Sequence, residues 1–411
     1  MDPWLMGTCF EGGWGLKYNN PHSFDEIKSC THLWISHFHS DHFHIPTLSE
    51  ILRLNPGITV YGNYSFNFKM DEALKGLGFK NVVSFAERQW YQVSQSLDIM
   101  RYPATGIDNM LVIKTKDHTV LNFNDCNLPM AARKSLAQKT GHIDIMLCNF
   151  NHANKLLDYP LPESAEIRKN LCENFVETYK PFEPKYVVPF ASYHYYRAEE
   201  SLAQNEALIE LKDLVPLDKK IIPLQIGHTL EILKNPSGFL ISYTKEHPEL
   251  NHFTIKEHER SYSIEELQEA YSLYRQKIKK GFPLFFRLLP AIDIHISDLD
   301  KNVSLRIKKT NLISNSSSQT HIAAHSEALH QWWSKPQGTD DFLIGAHFEL
   351  TDKPVPLKWQ FLLGLMVENK VDMVSLFKMA FSASGWRFLY NRREEIWAII
   401  TKSNFTILGR K

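Results

Sequence analysis

A cluster of metal-ligand side chains near the N-terminus constrains this chain more than any other feature of its sequence. The stretch WISHFHSDHFHIPTL begins at Trp34 and places four histidines and one aspartate within eight residues: His37, His39, Asp41, His42 and His44. An apolar run at residues 33–35 leads directly into the cluster and is typical of a buried strand. The pattern therefore predicts a strand that ends in a loop of ligands.

The spacing H-x-H-x-D-H suits two neighbouring metal ions. Imidazole nitrogens and carboxylate oxygens bind a metal such as zinc at about 2.0–2.2 Å, so several of them must converge on one point. A tight loop after a strand could direct His37 and His39 to a first ion and Asp41 and His42 to a second. We expect His44 to support this loop or to lie at the surface.

The composition argues against nucleic-acid and membrane partners. The 411 residues contain 46 Lys and Arg against 46 Asp and Glu, so the basic excess of a nucleic-acid surface is missing. The sequence has no apolar run of about 18 residues, which a membrane-spanning helix needs, and its start lacks the order of a signal peptide. Five cysteines without a CxxC pair indicate reduced thiols, so we expect a cytoplasmic protein.

Alternating strand and helix patterns predict an α/β domain over residues 1–240. Strands are expected at residues 31–36, 58–63, 110–115, 119–125, 143–150, 185–191 and 229–233, and helices at 71–78 and 164–179. The polar, turn-rich stretch 234–260 is a candidate linker.

A smaller α+β accessory domain is expected at residues 255–411. Its first helix, at 263–281, should begin with a capping box of Ser263 and Glu266. Further strands are predicted at 291–297, 303–308 and 341–350, and a mostly helical tail at 356–402.

Five motifs follow one another over residues 1 to about 235: DPWL…GGW, ISHFHSDHFH, LNFNDCN, YVVPFASY and GHTLEI. In them the chain resembles the metallo-β-lactamase superfamily, and more narrowly the metallo-β-lactamase part of the CMP-N-acetylneuraminate hydroxylases and their bacterial relatives without a Rieske domain. The resemblance implies an αββα sandwich followed by a smaller α+β domain. About two strands precede the DPWL position in this fold. Either these first strands are missing from this sequence or its start was assigned too late, and the first sheet would then have an exposed edge.

The resemblance also implies roles for single residues. Asp2 would order the histidine loop, and Asp125 would bridge the two metals; Asp41 and Asp125 are the candidate catalytic carboxylates. Hydrolytic members place a further histidine after the next strand. This chain has Thr105 and then Asp108 in that region, so Asp108 is a candidate oxygen ligand in its place.

The last ligand is expected after a late strand, where His194 is the candidate. The family places a histidine a few residues further on, near Ala198, which is one turn away if the segment is helical. His228 is an alternative, although its position ahead of a strand favours a structural role. His152 and Tyr195 are candidates for contact with the substrate.

The donor set favours iron. It combines histidines with carboxylates and contains no thiolate, because Cys126 should point away from Asp125 on a strand. A set richer in oxygen than that of the hydrolytic members suits iron or manganese better than zinc.

Three functions are compatible with these residues. The first is a dinuclear non-haem iron monooxygenase that uses dioxygen as co-substrate to hydroxylate or N-oxygenate a small molecule. A C-x-H motif with a matching C-x-x-H is missing from the sequence, so it encodes no Rieske cluster and an external ferredoxin or reductase would supply electrons. The second is a lactonase- or phosphodiesterase-type hydrolase, in which Asp41 or Asp125 holds a metal-bound hydroxide. The third is a non-enzymatic protein with a vestigial site. The sequence leaves the substrate, the zinc alternative and homodimer formation open.

Overall fold

The computed structural model describes residues 1–19, 23–62, 64–65, 68–104, 107–153, 157, 160–232, 239–243, 249–314, 317–369 and scattered positions from 381 to 397. Its strands are β1 (Thr8–Cys9), β2 (Trp14–Leu16), β3 (Tyr18–Asn19), β4 (His32–Trp34), β5 (Thr59–Gly62), β6 (Tyr64–Ser65), β7 (Phe68–Lys69), β8 (Asn81–Ser84), β9 (Trp90–Ser94), β10 (Leu97–Pro103), β11 (Asn109–Thr115), β12 (Thr119–Asn124), β13 (Ile145–Cys148), β14 (Tyr186–Pro189), β15 (His194–Tyr196), β16 (His228–Ile232), β17 (Phe239–Tyr243), β18 (Glu249–Leu250), β19 (Ile292–Ile296), β20 (Lys301–Leu305), β21 (Ile313–Ser314), β22 (Ile322–Ala324) and β23 (Glu349–Leu350).

The α-helices are α1 (Ser23–Ser29), α2 (Ile45–Leu54), α3 (Met70–Leu77), α4 (Met130–Thr140), α5 (Ser164–Tyr179), α6 (Leu211–Leu214), α7 (Ile264–Gly281), α8 (Pro283–Leu288), α9 (Ser326–Ser334), α10 (Gly338–Ile344) and α11 (Leu357–Asn369). Short 3-10 helices occur at Lys180–Phe182, Glu199–Ala207 and Val215–Leu217. Of the helices in these described ranges, none combines the length and the apolar character needed to cross a membrane.

Two β-sheets pack face to face in the first part of the chain. One contains the parallel strands β4, β5 and β8, and the other has the order β14-β13-β12-β11-β10-β9. Trp34, Tyr61 and Phe85 on the side of the first sheet form one apolar cluster with Ile99 and Leu111 of the second. This cluster is the layer between the two sheets.

Helices cover the outer face of each sheet. Because successive side chains of a strand point to opposite faces, Leu33 and Val60 point away from the central cluster and pack with Leu48 of α2. On the second sheet, Leu121 belongs to an apolar cluster with Phe175 of α5. The layers therefore run helix, sheet, sheet, helix, and the predicted αββα sandwich is confirmed.

The second part of the chain combines a five-stranded sheet, of order β21-β20-β19-β22-β23, with helices α7–α11. Its core continues into the first part, because Phe10, Trp14 and Tyr196 belong to the same apolar cluster as Trp332 and Phe342. The division into residues 1–240 and 255–411 stays a prediction.

Most predicted elements occur within about three residues of their expected bounds. The capping box is confirmed: Ser263 accepts a hydrogen bond from the backbone of Glu266, and the Glu266 carboxylate accepts one from the backbone of Ser263. The α11 helix confirms the start of the helical tail, whereas most of residues 370–402 lie outside the described residues.

The strand predicted at residues 341–350 is wrong. Residues Gly338–Ile344 form α10, and the strand is confined to Glu349–Leu350. All seven residues of α10 are buried, so the helix lacks an exposed polar face. A continuous apolar run of this length does not distinguish a buried helix from a buried strand.

The candidate linker at 234–260 contains ordered structure. Strand β17 pairs with β16, and β18 pairs with β3. The backbone of Lys256 donates a hydrogen bond to Arg197 O at 2.8 Å. Residues 234–238 and 244–248 of this stretch lie outside the described residues.

Candidate metal centre

The histidine loop connects the end of β4 to the start of α2. A tight turn closes it, because the backbone N–H groups of His42 and Phe43 both donate to His39 O, at 3.0 and 2.8 Å. His44 caps α2: its Nδ1 accepts from Thr47 N at 3.2 Å. The structure thus places His44 at the start of α2, where it is buried rather than at the surface.

Four predicted ligands converge beside this loop. His37, His39, Asp108 and Asp125 each place one ligand atom within 4.8 Å of the others. His37 Nε2 lies 2.8 Å from His39 Nδ1, and 3.6 Å from both Asp108 Oδ1 and Asp125 Oδ2. Asp108 precedes β11 and Asp125 follows β12, so neighbouring strands bring both carboxylates to the histidine loop. Thr105, the other residue considered for the missing third histidine, lies outside the described residues.

Asp41 and His42 form a second group around the same aspartate. His42 Nε2 lies 3.2 Å from Asp41 Oδ2 and 3.2 Å from Asp125 Oδ2. Asp125 therefore lies between His37 and His42, the position expected of a carboxylate that bridges two ions.

Neighbouring charges shift the pKa values of His42 and Asp125. Burial alone would lower the pKa of His42, but the nearby carboxylates of Asp41 and Asp125 raise it well above its usual value. Burial alone would raise the pKa of Asp125, whereas His42 and His37 lower it strongly. The carboxylate of Asp125 is therefore ionised and available as a ligand.

Three polar residues hold the loop in place. Asp2 accepts hydrogen bonds from Ser36 N at 2.6 Å and from Asn124 Nδ2 at 2.9 Å, and its Oδ2 lies 3.3 Å from His42 Nδ1. Ser36 Oγ lies 2.9 Å from His37 Nδ1. If Nδ1–H donates there, the Nε2 lone pair faces the carboxylates, which is the tautomer a metal ligand requires. These contacts are the ones expected if Asp2 orders the histidine loop, which stays a prediction.

The donor set fits a divalent metal. His37 is 1% exposed and Asp108 7%, so polar groups here need partners. Nevertheless, the buried Oδ1 atoms of Asp41 and Asp125 have no hydrogen-bond partner among the described residues. Convergent imidazoles and carboxylates with free acceptor atoms are the arrangement that a metal would complete.

His194 lies outside this group of four. It begins β15, so the segment is a strand rather than the helix that would place residues 194 and 198 on one face. Its ring stacks on Trp14, with centroids 4.0 Å apart, and its buried Nε2 has no hydrogen-bond partner among the described residues. Burial and the neighbouring His152 lower its pKa to about 3, so the ring is neutral. Its role as a ligand stays a prediction.

The remaining candidates also lie outside this group of four. His228 lies at the start of β16 and pairs with Tyr243 in a two-stranded hairpin. His152 stacks on Tyr196, with centroids 5.5 Å apart. Tyr195 points to the opposite face of β15 from His194 and packs against Phe253. Contact of His152 and Tyr195 with a substrate stays a prediction.

A second group of ligand-type side chains lies in the C-terminal part of the chain and contacts Glu200 of the first part. His258 and His325 stack in parallel, with centroids 3.6 Å apart, and His258 Nδ1 lies 3.1 Å from Glu327 Oε2. Imidazole lone pairs lie in the ring plane, so stacked rings do not aim them at one ion. Despite burial, Glu200 raises the pKa of His258, which makes this group a charged hydrogen-bond network.

A cavity of about 280 Å³ opens beside His194. It lies at the carboxyl ends of β13 and β14, and its lining includes Lys17, Tyr18, Phe150, Tyr193, His194 and Lys212. Strands β12, β13 and β14 are parallel, so Asp125 lies at the same edge of the sheet. The cavity is therefore one to two strands away from Asp125 along this edge.

Several residues around the site were not identified from the sequence. Ser36 and Asn124 hold His37 and Asp2, and Asn124 adopts a positive φ of 58° directly before Asp125. The asparagine in NFND was the available signal, because asparagine tolerates this conformation. Phe10 and Trp14 approach the site through contacts that no local pattern indicates.

The αββα sandwich and the histidine–carboxylate loop at its edge are features of a metal-binding protein of the metallo-β-lactamase fold. In sequence the chain is similar to CMP-N-acetylneuraminic acid hydroxylases: 30% identical to that of Mus musculus over 213 residues and 30% to that of Danio rerio over 212. Each match covers 47% of this chain, and 35% and 34% of the relative. The chain thus spans about a third of the length of these relatives. The predicted resemblance is confirmed.

Solved structures show a weaker similarity. An isothiocyanate hydrolase from Delia radicum gut bacteria is 16% identical, with a TM-score of 0.38 over 54% of this chain and 87% of that one. A metallo-β-lactamase-fold protein from Bacillus subtilis is 15% identical, with a TM-score of 0.29 over 44% of this chain and 71% of that one. No family model matches the sequence.

Proposed function

We propose that this chain is a metal-dependent oxidoreductase that holds two iron ions and uses dioxygen to hydroxylate or N-oxygenate a small molecule. The observation that supports the proposal is the position of Asp108 beside His37. The resemblance implies a histidine in this region for the hydrolytic members. The site then offers two imidazoles with two carboxylates, a set that suits non-haem iron better than zinc.

The candidate ligands divide into two groups around one shared residue. His37, His39 and Asp108 would hold the first ion, Asp41 and His42 the second, and Asp125 both. When bound, the iron pair supplies the redox chemistry of dioxygen activation, which redox-inactive zinc does not.

The protein around the ligands contributes orientation. Ser36 and Asp2 fix the ring planes of His37 and His42, and Asn124 ties Ser36 to Asp2 through contacts of 2.8 and 2.9 Å. Hydrogen bonds of this kind set the direction and basicity of ligating histidines. Although burial alone would raise its pKa, the Asp125 carboxylate stays ionised, because His42 and His37 lower that pKa.

The cavity beside His194 is the proposed place for the substrate. Its volume of about 280 Å³ suits a small molecule. Lys17 and Lys212 both pair with Glu210, at 2.7 and 2.9 Å, which leaves a surplus of one positive charge. This surplus favours a small molecule that carries a negative charge. The nucleotide sugar in the names of the relatives is compatible with it, but the chain covers only about a third of those proteins.

The electrons for this reaction would come from a separate protein. The five cysteines form no disulfide among the described residues, and the sequence has no Rieske motif. A ferredoxin or reductase is the proposed donor, and the cytoplasm, where thiols stay reduced, is the proposed location.

Metal analysis tests the proposal directly. We expect about two irons per chain after purification without chelators, with a ferric absorption band that bleaches on reduction. Asp125→Asn should lower the iron content to one or less, because it weakens both positions. Asp144→Asn is the matched control. Asp144 accepts a hydrogen bond from Thr119 N at 2.8 Å at the start of β12, whereas Asp125 follows the end of that strand.

Other outcomes contradict the oxygenase. About two zincs without a visible band would favour the hydrolase, and esters and phosphodiesters would then be the substrates to screen. If Asp125→Asn and Asp144→Asn lower the iron content per chain equally, then Asp125, the predicted bridge, is not a ligand. No metal after reconstitution with iron and zinc would favour the vestigial site.

A further inference from the structure

The turn between β1 and β2 has an unusual backbone. Phe10, Glu11 and Gly12 all adopt the left-handed region, with φ of 50°, 51° and 80°. Residues other than glycine rarely adopt this conformation, because their Cβ crowds the following carbonyl. Such residues persist where the surrounding structure holds them, and they concentrate near functional sites. The contacts of this turn therefore indicate what it serves.

On one side the turn holds the histidine loop. Phe10 N donates to Ser40 Oγ at 2.9 Å, and Cys9 Sγ donates to Ser40 O at 3.2 Å. Ser40 stands between His39 and Asp41, which belong to the two proposed metal positions. The turn thus holds Ser40, the residue that separates His39 from Asp41.

On the other side the turn is held by the C-terminal part of the chain. His347 Nε2 donates to Phe10 O at 2.8 Å, and Lys335 pairs with Glu11 at 2.6 Å. Gly13 lies so close to Gly345 that a Cβ on it would be 2.5 Å from Gly345 O. The segment 335–347 therefore contacts the turn on the side opposite the histidine loop.

We propose that His347 is a positioning residue of the metal centre: through Phe10 and Ser40 it sets the geometry of the histidine loop. The C-terminal part then completes the site without supplying a ligand. The inference rests on the proposed metal centre for its consequence, but the contacts that transmit it are independent of any metal.

Two substitutions separate hydrogen bonding from packing. His347→Leu removes the donor to Phe10 O, whereas His347→Gln keeps an amide N–H that can reach it. His321→Leu is the matched control, because buried His321 accepts one hydrogen bond, from Asp293 N at 2.9 Å, elsewhere in the C-terminal sheet.

The first readout needs no metal. Amide hydrogen exchange of residues 37–42 in the metal-free protein should be faster in His347→Leu than in the wild type. The exchange should be near the wild-type rate in His347→Gln and His321→Leu. Equal rates in His347→Leu and wild type would overturn the inference, whatever the metal content.

The second readout is the affinity for cobalt(II), measured by competition with a chelator and followed by its visible spectrum. His347→Leu should bind cobalt about tenfold more weakly, the lower end of the effect of residues that orient ligands. An equal loss in His321→Leu would show general destabilisation and overturn the inference. A wild type that binds no cobalt would overturn the proposed function, while the exchange rates still decide the positioning role.

A second variant covers the case in which His347→Leu does not fold. Ser40→Ala removes the acceptor of Phe10 N from the other end of the same path. It should speed exchange at residues 37–42 and weaken cobalt binding as His347→Leu does. If both fold, the double variant should lose less than the sum of the single losses, because the two changes release one turn. Strictly additive losses would contradict the proposed path.

Discussion

Asn124 shows how one residue can aim a ligand. It ends β12 with a φ of 58°, a conformation that asparagine tolerates better than most residues. Its side-chain amide donates to Asp2 and to Ser36, so the strained backbone is held from both sides. Asp125 follows directly and is thereby turned toward His37 and His42.

The pKa of His347 gives a prediction for pH. Burial and the nearby Lys256 lower it to about 3, so the ring is neutral in the folded protein but protonated in the unfolded chain below about pH 6.5. The unfolded state then binds one more proton, and the stabilisation is lost as the pH falls from 6.5 toward 3. Between pH 7 and 5 the metal-free wild type should therefore lose about 2 kcal/mol more unfolding free energy than His347→Gln.

Urea unfolding at the two pH values measures this difference. Both proteins carry the same other histidines, so their remaining pH dependence should cancel in the comparison. Equal losses in the wild type and in His347→Gln would mean that His347 is protonated in the folded state.

The ligands of the histidine loop could be predicted because they are local. His37, His39, Asp41 and His42 lie within six residues, so their spacing alone indicates a metal site. Asp125 and Asp108 needed the family resemblance, because strand pairing brings them to the loop. The contact of His347 with Phe10 had no signal, since the two residues are 337 positions apart and neither belongs to a pattern.

At the scale of elements, prediction succeeded where composition and period agree. Residues 119–125 and 143–150 are short segments that centre on apolar residues and are bounded by turns, and both contain strands. The α10 helix was missed because its burial on all sides removes the helical period. Strands β9 and β10 were not predicted, although WYQVS alternates exposed and half-buried residues as an outer strand does.

The first helix of the C-terminal part depends on its capping box. Ser263→Ala removes the acceptor for the backbone of Glu266 and should lower the free energy of unfolding by about 1 kcal/mol. Chemical denaturation measures this change. Ser272→Ala is the control on the same helix, because the Ser272 Oγ bonds to Gln268 within α7 and to no other part of the chain that the structure describes. A loss in Ser263→Ala no larger than in Ser272→Ala would contradict the role of the cap.

At the scale of the whole molecule, the two parts of the chain share a core. Tyr196 and Trp14 from the first part belong to one apolar cluster with Trp332 and Phe342. Separating the parts would expose large aromatic surfaces to water, and the hydrophobic effect opposes this. We therefore expect the parts to unfold together.

Hydrogen exchange in increasing urea tests this cooperativity. Residues 37–42 and helix α9 should report the same free energy of opening within the error of the measurement. Earlier opening of α9, with residues 37–42 still protected, would show two independent units and would support the predicted division near residue 250.

Gly13 is a point of close contact between the first part of the chain and the C-terminal segment 335–347. Its contact with Gly345 places backbone against backbone, and the smallest side chain would already separate the two segments. The close contact between these two segments therefore depends on the absence of a side chain at Gly13. Two proteins can share every ligand side chain and still differ at such a glycine. The fit between the two parts of this molecule would then be lost although the ligands are the same.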